Sequence, residues 1–299
     1  MSAADLNVLE RPHDRLRRRR VVNRGMEVVA WLAAALAVLI LGIVIFSVAR
    51  RGASALSFDF LTKSQLQYAP PNVKQGLANA FIGTLIIVGL ATLMALPFGI
   101  LIAIYVNEFA SKAIRSAVTL TLDVLAGVPA IVIGFFVYGL IVVSHGQSGY
   151  AGAFALAVLM LPLVARSTIE VLVLVPNSLR EAALGVGAPR WRTTLGVVLP
   201  QTIGGVLTGA TLAVARVAGE TAPLLLVSSL AASGTHLNPS QPLASVPLAI
   251  YNLADSPDPA DHARAWAAAL VLMLFILVVS LTARWLATRS RRKIAQATR

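Results

Sequence analysis

Cysteine is absent from the 299-residue chain, which excludes a disulfide framework, a thiolate zinc site and a cysteine nucleophile. Charge is also scarce. Asp, Glu, Lys and Arg make up 13% of the residues, against about 25% in soluble domains. No Gly-rich loop ends in Gly-Lys-Ser/Thr, so the chain lacks a nucleotide-binding P-loop of its own. His13, His145, His236 and His262 are scattered among tails and loops, which argues against a dedicated metal site. Glu108 and Asp123 have no second acid beside them, and no Ser/His combination shares an element. What remains is 57% hydrophobic with a mean hydropathy of +0.78. That composition excludes disorder, argues against a soluble enzyme and describes a polytopic membrane protein.

The apolar runs predict an all-α chain of six transmembrane helices. The first runs from about Val28 to Val48, long enough at ~1.5 Å per residue to cross the hydrocarbon. A signal peptide is the competing reading, because Ala53-Ser54-Ala55 loosely resembles a cleavage site. The run exceeds a typical signal core, however, and further spans follow. Five more are expected near Asn79–Tyr105, Ala117–Val143, from Ala151 onward, Leu199–Leu230 and Trp266–Leu281. The third contains Pro129 and three glycines, so it can bend. The fifth is too long for one upright helix and carries Arg216, Glu220 and Pro223, which predicts a break. The organisation is then a basic tail (1–27), a first span (28–50) and an external connector (51–78) containing Pro70-Pro71 and Lys74. A core of five spans (79–283) holds a polar loop at 176–197, and a second basic tail (284–299) follows.

Six spans place both termini on one side. Segments then assigned inside hold 18 of the 25 basic residues and those outside hold 5, with Arg166 and Arg216 inside apolar runs. That asymmetry predicts cytoplasmic termini in the cell membrane. Arg17 to Arg20 and the Arg289–Lys293 cluster flank spans, where topology and anionic headgroups account for them. A nucleic-acid partner is not expected.

The loop at 181–200 reads EAALGVGAPRWRTTLGVVLP. Leu179 to Leu184 can form a short helix, Gly185 and Gly187 permit a sharp reversal, and Pro189 can open a second helical turn. Trp191 offers a large anchor at a bilayer edge or in a protein groove. Taken alone, an ordinary interhelical loop explains these residues equally well. Glu181, Ala182, Ala183, Gly187, Val197, Leu199 and Pro200, however, resemble in identity and spacing the cytoplasmic signature of importer permeases in the ATP-binding cassette (ABC) class. The segments Leu161–Trp191 and Thr208–Leu225 resemble the phosphate-specific branch, and the latter favours the second of its two permeases through Ala222-Pro223-Leu224. The likeness extends over roughly residues 72 to 299.

The resemblance implies the type I ABC importer permease fold. It also implies that Glu181, Ala182, Ala183, Gly187, Trp191 and Pro200 belong to a loop that couples the spans to an ATPase. Implied partners are a paired PstC-like permease, two copies of a PstB-like ATPase, an extracytoplasmic phosphate-binding protein, phosphate and membrane lipid. This chain would hold no cofactor and catalyse nothing, since ATP and Mg belong to the ATPase. The alternatives are a permease for sulfate, molybdate or another solute, and a membrane sensor or scaffold in phosphate signalling.

Arg216 and Glu220 stand four apart, so one helix would put them on one face. Each is costly in hydrocarbon unless paired or facing a polar cavity. Two readings stand: a structural pair locking two spans, or an anion path in which Arg216 attracts and Glu220 limits binding. The resemblance supports the position without choosing between them. Arg166 and Glu170 repeat the spacing near the inner end of the fourth span, where an anchoring role is favoured over a place in the anion path.

Overall fold

The computed structural model describes residues 13–65, 75–228 and 237–297. Pro70-Pro71, Lys74, Leu230, His236, Arg299 and the first twelve residues of the basic tail lie outside the described residues. Among the described residues every regular element is helical.

Residues up to Arg50 form one unit and Arg51 onward a second. The first consists mainly of α1 (His13–Ala53), which runs unbroken from the basic tail into the apolar run. Its apolar part has no polar stripe, the pattern of a helix surrounded by lipid.

In the second unit, α2 (Phe58–Thr62) is capped by Ser57, whose hydroxyl accepts from Phe60 N–H at 3.1 Å. α3 (Ala78–Phe109) closes in a wide π-turn at Tyr105–Phe109. α4 (Lys112–Gly127) begins at Ser111 and stops before Pro129, and α5 (Ala130–His145) leaves at 96° to it. Proline lacks an N–H and disfavours helical backbone at the residue before it. Val128 is accordingly extended. The third apolar run, which Pro129 and its glycines allowed to bend, is therefore a pair of helices broken at Pro129.

α6 (Gly149–Val173) continues unbroken through Arg166 and Glu170. α7 (Asn177–Gly185) is short. α8 (Arg190–Ala218) includes a π-turn at Thr194–Val198 and ends where the break was expected. The chain resumes as α9 (Leu224–Val227), α10 (Val246–Asp255) and α11 (Pro259–Ala297). Among the described residues five helices are long and apolar enough to cross a membrane: α1, α3, α6, α8 and α11. The α4–α5 pair makes a sixth if it crosses as one span.

Helix association in lipid relies on close packing and interhelical hydrogen bonds, because the surrounding chains are as apolar as the core. Small residues supply that closeness here. Ala91, Ala95, Ala151, Ala153, Ala155, Ala157, Ala213 and Ala218 line the main core around Leu156, Met160 and Val164. Gly99 lies against Val164, and Gly205 and Gly209 of α8 lie against Val171 and Ser167 of α6. A smaller core joins Phe60, Leu77, Ala80, Val246 and Leu253, and a third joins Ala103, Leu172, Val175 and Val198.

Polar backbone groups at the helix ends find specific partners. The Thr84 hydroxyl accepts from Val246 N–H at 2.8 Å and starts α10. At the start of α6, Ser148, Gly149 and Tyr150 donate N–H groups to the carbonyls of Val227, Gln241 and Pro239. These are donors a helix N-terminus leaves without partners of its own.

Candidate functional site

Two places carry the sequence's candidate residues. The first is the turn between α7 and α8. Gly187 N–H donates to Leu184 O at 2.9 Å and Ala188 N–H to Ala183 O at 3.1 Å, the paired bonds of a Schellman termination. The motif needs a left-handed residue after the cap, and Gly187 supplies it with φ +85°. Gly185, by contrast, is helical and does not make the reversal. Pro189 then accepts from Arg192 and Thr193 N–H at 2.9 and 3.0 Å and opens α8. The spacing from Glu181 to Gly187 thus has a physical reading: one short helix and its left-handed stop.

Glu181 and Ala182 are exposed on α7 and Ala183 is half-buried. Leu184, Val186 and Trp191 add an exposed apolar cap to the turn, with Val186 at 86% and Trp191 at 55% exposure. Arg192 stacks its guanidinium 5.3 Å from the Trp191 ring centre. Pro200 lies a turn or more inside α8, half-buried, and is not part of this surface. Exposed apolar side chains on a polar turn make it a candidate docking surface.

The second place is a recess of about 60 Å³ at the α4–α5 bend, lined by Arg216, Val217, Glu220, Leu125, Ala126, Val128, Ala130, Leu159 and Leu163. α8 ends at Ala218, and Gly219 and Glu220 turn back onto Arg216 O and Val217 O. Arg216 and Glu220 therefore do not share a helical face, as their spacing suggested. Both line the recess because the chain breaks between them. Of the two readings, the structural pair is not seen, since among the described residues neither side chain has an ion-pair partner within 4 Å. Directly beside the recess the two broken segments touch. A Cβ on Gly134 of α5 would come within 2.6 Å of Pro223 Cα.

Arg166 does not pair with Glu170 either. Its guanidinium pairs with Asp123 of α4, while Glu170 is exposed one turn further along α6. Asp123 is thus a charged partner that local spacing could not reveal. A second is Glu108, which meets Arg180 across a sequence separation of 72 residues. Among the described residues no three His, Asp or Glu side chains gather where a metal ion could sit.

An all-helical chain with several apolar crossings, charged residues at a broken-helix recess and an exposed apolar turn has the makings of a transporter's membrane subunit. Residues 95–292 match the family described as binding-protein-dependent transport system inner membrane component, and the chain belongs to that family. It is a multi-pass membrane protein and an ABC transporter permease, a class that works with an ATPase and a binding protein. Among curated proteins it is 39% identical over 269 residues to the phosphate transport system permease protein PstA of Haemophilus influenzae. That match covers 89% of this chain and 94% of the relative. Phosphate transport system permease protein PstA 1 of Mycobacterium tuberculosis is 37% identical, with 92% and 91% covered. Among solved structures, a bacterial ABC transporter involved in import of the acidic polysaccharide alginate aligns with a TM-score of 0.64 at 17% identity. It covers 91% of this chain and 99% of that one. The MetNI methionine ABC transporter, in an inward-facing conformation, aligns at 0.57 and 16% identity, covering 71% and 93%. These two establish likeness of fold.

Proposed function

We propose that this chain is one of two paired permeases in an ATP-driven importer of inorganic phosphate, resident in the cell membrane. It crosses six times with both termini in the cytoplasm, the α4–α5 pair serving as the third crossing. Its partners are a PstC-like permease, two PstB-like ATPase subunits that use ATP and Mg, and an extracytoplasmic phosphate-binding protein. The exposed turn from Glu181 to Trp191 docks on the ATPase.

The observation that carries the reading is the recess at two facing helix breaks, where Arg216 and Glu220 stand together without pairing. An unpaired arginine presents a donor fork suited to a tetrahedral oxyanion. The neighbouring carboxylate keeps that attraction weak, and a conducting site must release what it binds. Selectivity can then reside in the delivery protein. The likeness to PstA relatives supports phosphate over other oxyanions.

The test is uptake of radiolabelled phosphate and sulfate at micromolar concentration, in cells with and without this chain and with redundant importers removed. ATP depletion and the reintroduced wild-type chain are the controls. Loss of ATP-dependent phosphate uptake alone, restored by the chain, is expected. Unchanged phosphate uptake rejects the substrate, and loss of sulfate uptake alone reassigns it.

A further inference from the structure

The proposed docking helix α7 buries none of its nine residues. Apolar packing therefore does little to fix its angle to the membrane helices. On one side it borders an open cavity of about 240 Å³, lined by Leu184, Arg190, Thr193, Thr194, Glu108 and Arg180. Among the described residues, Arg180 is the charged side chain that ties α7 to the ends of other helices. Arg180 donates a fork to Glu108, Nη2 to Oε1 at 2.8 Å and Nε to Oε2 at 3.1 Å. It also donates to Leu172 O at 3.0 Å and Val175 O at 2.6 Å, carbonyls at or just beyond the end of α6. Carbonyls at a helix end lack the regular i+4 donor, and Leu172 O also takes a turn bond from Val175 N–H at 3.3 Å.

Glu108 belongs to the π-turn that closes α3, where Asn107 Nδ2 donates to its Oε1 at 2.7 Å. From the other side Arg115, in the first turn of α4, donates to Val106 O at 3.0 Å and to Asn107 O. One connected cluster thus joins the ends of α3, α4 and α6 to α7. The two charges are largely withdrawn from solvent, with side chains 9% exposed for Glu108 and 17% for Arg180. A forked pair of this kind fixes direction as well as distance.

We propose that Glu108 and Arg180 are positioning residues for energy coupling: the forked pair makes displacement of α7 a displacement of the inner ends of α3, α4 and α6. The proposal rests on the reading of α7 as the ATPase-docking helix. Without the fork, α7 still docks but tilts into the adjoining cavity, and ATP hydrolysis proceeds without moving the spans. Rigid-body transfer through a packed terminus is a known route for such switching, and single contacts along it tune coupling measurably.

The experiment uses the complete complex in liposomes and measures phosphate transported per ATP hydrolysed, together with bound ATPase subunit and thermal stability. Glu108→Gln is expected to lower that ratio about three- to tenfold with the ATPase subunit retained and basal hydrolysis intact. Arg180→Lys keeps a buried charge but not the fork. It should show the same loss, and the double variant should be no worse than the singles, because both remove one link. A wild-type ratio in either assembled variant overturns the proposal, even if the variant melts earlier, since that describes a clamp for stability alone. A wild-type complex without phosphate-stimulated hydrolysis would instead refute the phosphate-importer reading.

Discussion

Arg216 shows how much a single residue's meaning depends on backbone that local spacing cannot report. Four positions along a helix would have made Arg216 and Glu220 a pair, and pairing would have neutralised both. With α8 ending at Ala218, the two instead line one recess, without an ion-pair partner within 4 Å among the described residues. Arg216→Gln removes the charge while keeping much of the length and a donor. It should lower phosphate uptake about tenfold or more, as expected for losing charge-assisted hydrogen bonds to an anion. Uptake by assembled complex, quantified per permease in the membrane, checks this, and normal uptake leaves Arg216 only a structural role. Glu220→Gln should act in the opposite sense on binding. With repulsion gone the anion is held longer, so turnover falls while the concentration for half-maximal uptake does not rise. A raised half-maximal concentration would contradict that assignment. The cross-helix partners were beyond reach of sequence for a related reason. Arg166 chose Asp123 and Arg180 chose Glu108 only because separate helices converge there, and no periodicity encodes that convergence.

At the scale of elements, the prolines and glycines were the informative residues. Pro129 breaks the third apolar run through its missing N–H, and Gly187 stops α7 through its positive φ. Both effects are local, which is why the sequence made them legible. The 96° angle at Pro129 was not, because it depends on what α5 packs against after the break. Gly187→Ala forces a side chain into left-handed backbone at about 1–2 kcal/mol. The turn should loosen, and less ATPase subunit should co-purify with the permease; undiminished co-purification would show that docking tolerates another turn. Glu181→Lys tests the exposed face of α7 with its backbone left alone. The variant should reach the membrane normally yet show reduced phosphate-dependent ATPase activity, and wild-type activity would remove Glu181 from the docking surface. Contact between the two broken segments is also testable. Gly134→Val would drive a branched side chain into Pro223, and overpacking of this kind costs about 1–3 kcal/mol. A lower melting temperature of the purified complex is expected.

For the whole molecule the number of crossings among the described residues turns on α4 and α5. Among the described residues five helices are each long enough to span, whereas this pair spans only if its two bent halves together pass from one face to the other. Charge counting favours passage. Lys112 and Arg115 stand at the start of α4, and the short segment from His145 to Ser148 beyond α5 carries no Lys or Arg. If the pair instead dips and returns, its two ends share a side, and every later segment changes face relative to α1. The turn at Glu181 would then lie opposite the basic N-terminal tail. Natural absence of cysteine makes the distinction direct, because any introduced thiol is the chain's sole label site. Ala113→Cys and Gln147→Cys mark exposed positions at the two ends of the pair. In intact cells a membrane-impermeant maleimide should label Gln147→Cys and spare Ala113→Cys, with both labelled once the membrane is opened. Equal labelling of the two in intact cells, or protection of both, would make the pair re-entrant and the crossings five. Ser178→Cys on α7 then settles which face the docking turn occupies. It should stay protected in intact cells, as an ATPase fuelled by cytoplasmic ATP can meet it only from inside.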